Sequence, residues 1–112
     1  MISFEFGDVV LVPFPFTDQS ATKKRPAIVV SSHAYNIERP DIIIQAVTSQ
    51  IGASNTFGEV IVNQWQRAGL LKASAIKPVI TTIEKNLVIK TMGRLAPQDM
   101  EALARCLKTI LV

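Results

Sequence analysis

A chain of 112 residues is a single domain by size, residues 1–112, and can bury about two-thirds of its unfolded surface. Apolar residues make up 48% and charged residues 19%, below the roughly 25% usual for soluble domains, so either the core is unusually well filled or some apolar surface is covered by a second subunit or partner. Lys+Arg 12 against Asp+Glu 9 gives net +3, which permits a polyanion partner without requiring one, and the single cysteine excludes an internal disulfide and any Cys-rich metal site.

In chain order, Met1–Glu5 has neither a basic start nor an apolar core, so no signal peptide is expected. A first strand is predicted at about Asp8–Val12 and a second at about Pro26–Ser31, both rich in β-branched residues. Pro13, Pro15 and Pro26 cannot donate to a ladder and are read as strand ends. Between the two strands lies the polar loop Thr17–Thr22, followed by three consecutive cations, Lys23, Lys24 and Arg25. Arg25 is thus expected at the mouth of a rigid strand.

Residues 32–36 break the pattern and suit one helical turn. A third strand follows at Ile42–Thr48, a fourth at about Gly58–Val62, and a short turn or helix from Trp65 that ends at Gly69. The fifth strand spans about Ser74–Thr82, interrupted by Pro78, and the sixth covers Leu87–Met92. Met100, Leu103, Ala104, Leu107, Ile110 and Leu111 recur at three- and four-residue steps, the signature of one helix face. Pro97 suits the first helical position, with Asp99 and Glu101 early and Arg105 and Lys108 late. Many short strands closed by one terminal helix predict a mainly β protein: a small, strongly bent antiparallel barrel with a C-terminal helix packed on it. No run approaches the ~20 apolar residues of a membrane span, and a cytoplasmic location is expected.

The chemistry is narrowed first by what is missing. His33 is the one histidine, without a His, Cys or carboxylate at ligand spacing, and reads as a turn or capping residue. The carboxylates are scattered and form no evident Mg²⁺ cluster, and no Gly-rich phosphate loop or Gly-x-Ser-x-Gly elbow occurs. Cys106 lies beside the apolar helix face and reads as packing. Arginine and hydroxyls remain. Taken singly, Lys23-Lys24 is an ordinary solvated loop and Thr48-Ser49 an ordinary strand end. Taken together, a guanidinium fork and a threonine hydroxyl can stabilise the charge that builds on a phosphate in a transition state. Such chemistry works without a metal when the substrate carries its own nucleophile, as RNA does in its 2′-hydroxyl.

Gly7-Asp8-Val9-Val10, the stretch Lys24–Ser31, Ala46-Val47-Thr48-Ser49, Trp65 through Gly69-Leu70, Ser74-Ala75-Ile76 and Gly93-Arg94-Leu95 together resemble the MazF/PemK family of toxins from bacterial toxin–antitoxin pairs. The resemblance runs over nearly the whole chain in the family's order. It implies an SH3-like barrel with a C-terminal helix, a homodimer, and a sequence-specific endoribonuclease that needs no metal or other cofactor. Single-stranded RNA would be cut to 2′,3′-cyclic phosphate and 5′-hydroxyl ends. The family's catalytic arginine matches Arg25 and its threonine matches Thr48. Phe16, Thr17, Lys23, Lys24, Ser49, Gln50 and Lys77 are then expected around an RNA cleft. Phe16 is read either as a base-stacking residue or as part of the barrel-end core, with the same two readings for Trp65. Lys77 is read either as an RNA contact or as a solvated strand residue. The segment Pro13–Asp18 departs from the family's usual loop and bears on base preference. A cognate MazE-like antitoxin, small and acidic, is the implied protein partner. Two rivals on related architecture are a gyrase-poisoning toxin of the CcdB type and a non-catalytic SH3-like module that binds RNA or peptide. The ending Thr109-Ile110-Leu111-Val112 lacks the Trp-Gly-Ile of the former, and 6% aromatic residues is sparse for a peptide groove in the latter.

Overall fold

The computed structural model of the chain describes residues 3–14, 23–52 and 56–112. Its elements, in order, are β1 (Asp8–Phe14), β2 (Lys23–Val29), α1 (His33–Glu38), β3 (Asp41–Thr48), β4 (Val60–Val62), β5 (Ser74–Glu84), a 3₁₀ turn (Lys85–Leu87), β6 (Lys90–Arg94) and α2 (Pro97–Ile110). The strands form one sheet in the order β4-β5-β3-β2-β1-β6, every neighbour antiparallel. The sheet curls into a half-barrel, with α2 packed against its core, as the alternation of short strands and one terminal helix predicts.

The central strands carry consecutive apolar residues because both faces are buried. Successive side chains on a strand point to opposite faces. Val9 and Ile28 join Leu103 of α2 and Ile76 of β5 on one face. Val10, Val12, Ala27 and Val29 join Ile42, Ile44, Ile83 and Phe4 on the other.

Pro13 and Pro26 do not end their strands, and Pro15 lies outside the described residues. Pro13 lies inside β1 and Pro26 inside β2, paired with Lys24 and Leu11 respectively. Each sits where its strand has lost its second neighbour. The β1–β6 ladder stops at Leu11↔Lys90, and the β2–β3 ladder begins only at Ala27↔Ala46. A residue without an N–H fits a strand where one edge is unpaired.

Strand five likewise runs through Pro78 instead of stopping there. Its register against β3 jumps from Val47↔Ile76 to Gln45↔Ile80, so Lys77, Pro78 and Val79 bulge opposite Ala46 alone. The sixth strand starts later than predicted. The Val88 N–H bonds to the Lys85 carbonyl, the Ile89 N–H then reaches the Leu11 carbonyl of β1 at 2.8 Å, and the β1–β6 ladder begins at Lys90. Leu87 and Ile89, read as strand residues, are 46% and 44% exposed on the turn and its exit.

In α2, Pro97 takes the first helical position and Ala96 makes no side-chain cap. Asp99 does more than complement the dipole. It is 1% exposed, and its two oxygens accept from the Asn63 and Gln64 N–H groups at 3.1 and 3.0 Å, tying the helix to the end of β4. Cys106 is half-buried, with Sγ 3.4 Å from the Gly58 carbonyl. The turn from Trp65 closes on Gly69 at φ +85°, where a Cβ would lie 2.3 Å from the Met92 carbonyl oxygen of β6. Trp65 packs on the core cluster, the second of its two predicted readings. Among the described residues no helix is long and apolar enough to cross a membrane.

Candidate functional site

The β2–β3 ladder pairs Ala27 with Ala46, Ile28 with Gln45 and Val29 with Ile44. One more step along the same face, beyond the last pair, sets Arg25 across from Thr48. The ladder's last pair is Ala27↔Ala46, and beside the positions beyond it lies a hollow. Its volume is about 370 Å³, and its walls include Arg25, Thr48, Ser49, Gln50 and Lys77, with Pro26, Ala46, Val47 and Val79. Thr48 and Lys77 reach it from adjacent strands, because Thr48 pairs with Ala75, two residues before Lys77.

The Thr48 hydroxyl oxygen accepts from the Gln50 N–H at 3.0 Å. A hydroxyl that accepts keeps its own hydrogen to donate, and the turn holds the oxygen at a fixed place on the rim. Arg25, Ser49 and Gln50 are exposed, while Thr48 and Lys77 are half-buried. The described walls carry two cations and no carboxylate, so the hollow favours an anion.

Lys23 and Lys24 are not part of that hollow. They line a second one, of about 440 Å³, that also borders on Arg25 and Ser49. Its floor is apolar, with Leu11, Leu70 and Met92, and Lys72 stands on its rim. Arg25 and Ser49 form the wall between the two. Of the nine predicted site residues, five therefore meet in the first hollow, and two more, Lys23 and Lys24, line only the second. Phe16 and Thr17 lie outside the described residues.

Two residues went unpredicted. Lys72 is a cation in the loop just before β5, and only the fold shows that this loop comes back beside β2. Gln45 interrupts the apolar run Ile42–Val47, a signal that was legible in the sequence. It is fully buried, and its Nε2 donates to the Lys77 carbonyl at 2.9 Å.

The shifted carboxyls stand at the other end of the sheet. Burial pushes Asp8 above the ordinary carboxylate value, against the opposing pull of the Glu5 N–H and Arg94. The hydrogen bond from Arg39 holds Asp41 below it. His33 opens α1 there, its Nδ1 2.5 Å from Glu5 Oε2, far in the sheet from Arg25 and Thr48.

The chain is similar in structure to an endoribonuclease in complex with its cognate antitoxin from a mycobacterial species, at 19% identity and a TM-score of 0.73 over 97% of this chain and 93% of that one. It is also similar to MazF in a MazE–MazF complex from Deinococcus radiodurans, at 16% identity and a TM-score of 0.74 over 98% and 96% of the two chains. A further structure of MazF from the same organism matches at 18% identity and a TM-score of 0.73 over 98% and 97%. No match was found among curated proteins. A family model described as PemK-like, MazF-like toxin of type II toxin–antitoxin system matches residues 5–111, and the chain belongs to that family.

Proposed function

We propose that the chain is an endoribonuclease toxin of the cytoplasm that cuts single-stranded RNA at short sequences and is neutralised by a cognate acidic antitoxin. It acts as a homodimer and needs no metal. The observation that carries the reading is the anion-favouring hollow shared by Arg25, Thr48 and Lys77, set by strand register.

The ribose 2′-oxygen attacks the adjacent phosphorus, and the bond to the 5′-oxygen of the next nucleotide breaks. The 2′-proton leaves and a proton reaches the departing 5′-oxygen, so the products are a 2′,3′-cyclic phosphate and a 5′-hydroxyl. Five oxygens surround phosphorus at the midpoint, and negative charge on the non-bridging oxygens rises. Arg25 meets that charge with a two-pronged donor. Thr48 donates its hydroxyl hydrogen to one oxygen. One such donor is worth about 2.7–4 kcal/mol when it is aimed at the transition state. Lys77 supplies a second cation from β5, and Ser49 and Gln50 offer hydrogen-bonding groups to the neighbouring nucleotide. Lys23 and Lys24 bind backbone phosphates along the second hollow. Phe16 and Thr17 are further RNA contacts in this proposal.

The test is a pair of oligonucleotides identical but for one 2′-deoxy sugar at the cut. The all-ribose strand is expected to yield a fragment whose 5′-hydroxyl accepts phosphate from a polynucleotide kinase. The deoxy strand is expected to stay intact. Cutting at the deoxy position would mean that water attacks, and the mechanism would fall.

A further inference from the structure

We propose that Gln45 is a positioning residue that, from inside the sheet, holds the bulge of β5 which presents Lys77 to the hollow. The inference rests on the RNA-cleavage reading above and names a residue that acts on that site without touching substrate.

The argument starts from Pro78. A proline in the body of a strand has no N–H for its neighbour. Here β5 answers by bulging, with Lys77, Pro78 and Val79 all opposite Ala46. The bulge has two consequences. Lys77 and Val79 become walls of the hollow. The Lys77 carbonyl, in the gap between Val47↔Ile76 and Gln45↔Ile80, needs a donor from somewhere other than a regular ladder. Gln45 supplies it, Nε2 to oxygen at 2.9 Å.

Apolar packing does not explain a glutamine at this place. Its neighbours along β3 are Ile42, Ile43, Ile44, Ala46 and Val47, and any of them would fill the core at less cost. Gln45 is 0% exposed, and its Oε1 is buried with no hydrogen-bond partner among the described residues. A side chain that is half unsatisfied lowers stability. What the sheet gains from it is one bond, directed at the backbone of the residue that faces Arg25 and Thr48.

Gln45→Met keeps the length and the apolar volume and removes both the donor and the stranded oxygen. Its cleavage rate is expected to fall about tenfold, while its melting temperature moves by no more than a few degrees, because the stranded oxygen is removed as the Lys77 carbonyl loses its donor. In a Lys77→Ala background the same change is expected to cost nothing further, because its whole effect passes through Lys77. Amide hydrogen exchange at Val79 and Ile80 is expected to quicken in Gln45→Met, with or without activity. A wild-type rate in Gln45→Met, losses that multiply in the double variant, or unchanged exchange at Val79 and Ile80 would each overturn the proposal. A wild-type protein that leaves RNA uncut would overturn the RNA-cleavage reading instead. Exchange at the bulge would still decide whether Gln45 holds it.

Discussion

The end of the sheet where β3 begins and the end where it finishes are built on opposite plans. At the first, polar groups close on one another. Ser31 Oγ donates to Asn36 Oδ1 and accepts from the Ile43 N–H, and Asn36 Nδ2 donates to the Phe4 and Ser31 carbonyls. Lys85 Nζ donates to the Asn36 carbonyl at 2.6 Å. At the second end Lys23, Lys24 and Arg25 stand exposed, and the described walls of both hollows carry no carboxylate. Like charges gathered in this way repel and cost stability. The closed end ties β2, α1 and β3 together, while the open end gathers cations at the solvent.

The sharpest way to separate the two ends is Arg25→Ala. RNA cleavage by the purified variant is expected to drop at least about 100-fold. Its stability in denaturant is expected to stay within about 1 kcal/mol of wild type, since Arg25 lies on the surface. Retained cleavage would remove Arg25 from the chemistry. The converse change is Asn36→Ala, which takes the donor from the Phe4 carbonyl and the acceptor from the Ser31 hydroxyl hydrogen. Urea melts are expected to show a loss of about 2–3 kcal/mol. The rate per folded molecule should not change, and if it fell the two ends would not be independent.

A weaker effect is expected at Lys23 and Lys24. Replacing both with alanine should lower RNA affinity and flatten its dependence on salt, by about 0.7 in log–log slope for each phosphate of a single strand that is no longer neutralised. Turnover of bound RNA should hold. An unaltered slope would place RNA elsewhere.

The smallest effect concerns pH at the closed end. Asp8 binds its proton more tightly folded than unfolded. Between the ordinary value of 3.8 and the raised one, the unfolded chain has lost that proton and the folded chain has kept it. Stability contributed by the neutral form is therefore lost as pH rises through that window. Asp8→Asn is expected to remove this falling slope from a series of thermal melts, and an unchanged slope would assign it to another group.

Much of this plan could be read from the chain. β-branched runs gave the central strands, and three- and four-residue spacing gave α2, because burial leaves its period in the sequence. Arg25 and Thr48 were paired in the sequence on their chemistry and on the family resemblance, and the register of β2 on β3 sets the two positions across from each other. What could not be read depends on neighbours. Pro13 and Pro26 looked like strand ends, since their tolerance rests on where β6 and β3 stop. Leu87 and Ile89 mimicked a strand because exposed apolar residues on a turn carry no mark of their exposure. Asp99 read as a dipole partner, because its two acceptor bonds come from residues more than thirty positions earlier.

Strand β1 pairs with β2 on one side and with β6 on the other, joining Asp8 to Arg94 across most of the chain. During translation, that second edge stays unpaired until Lys90–Arg94 has cleared the ribosome, and Leu95 and Leu103 of the core arrive later still. Contacts so distant in sequence form late. A chain that has formed only its β1–β2 hairpin therefore still lacks a partner on the outer edge of the strand that pairs with Arg25.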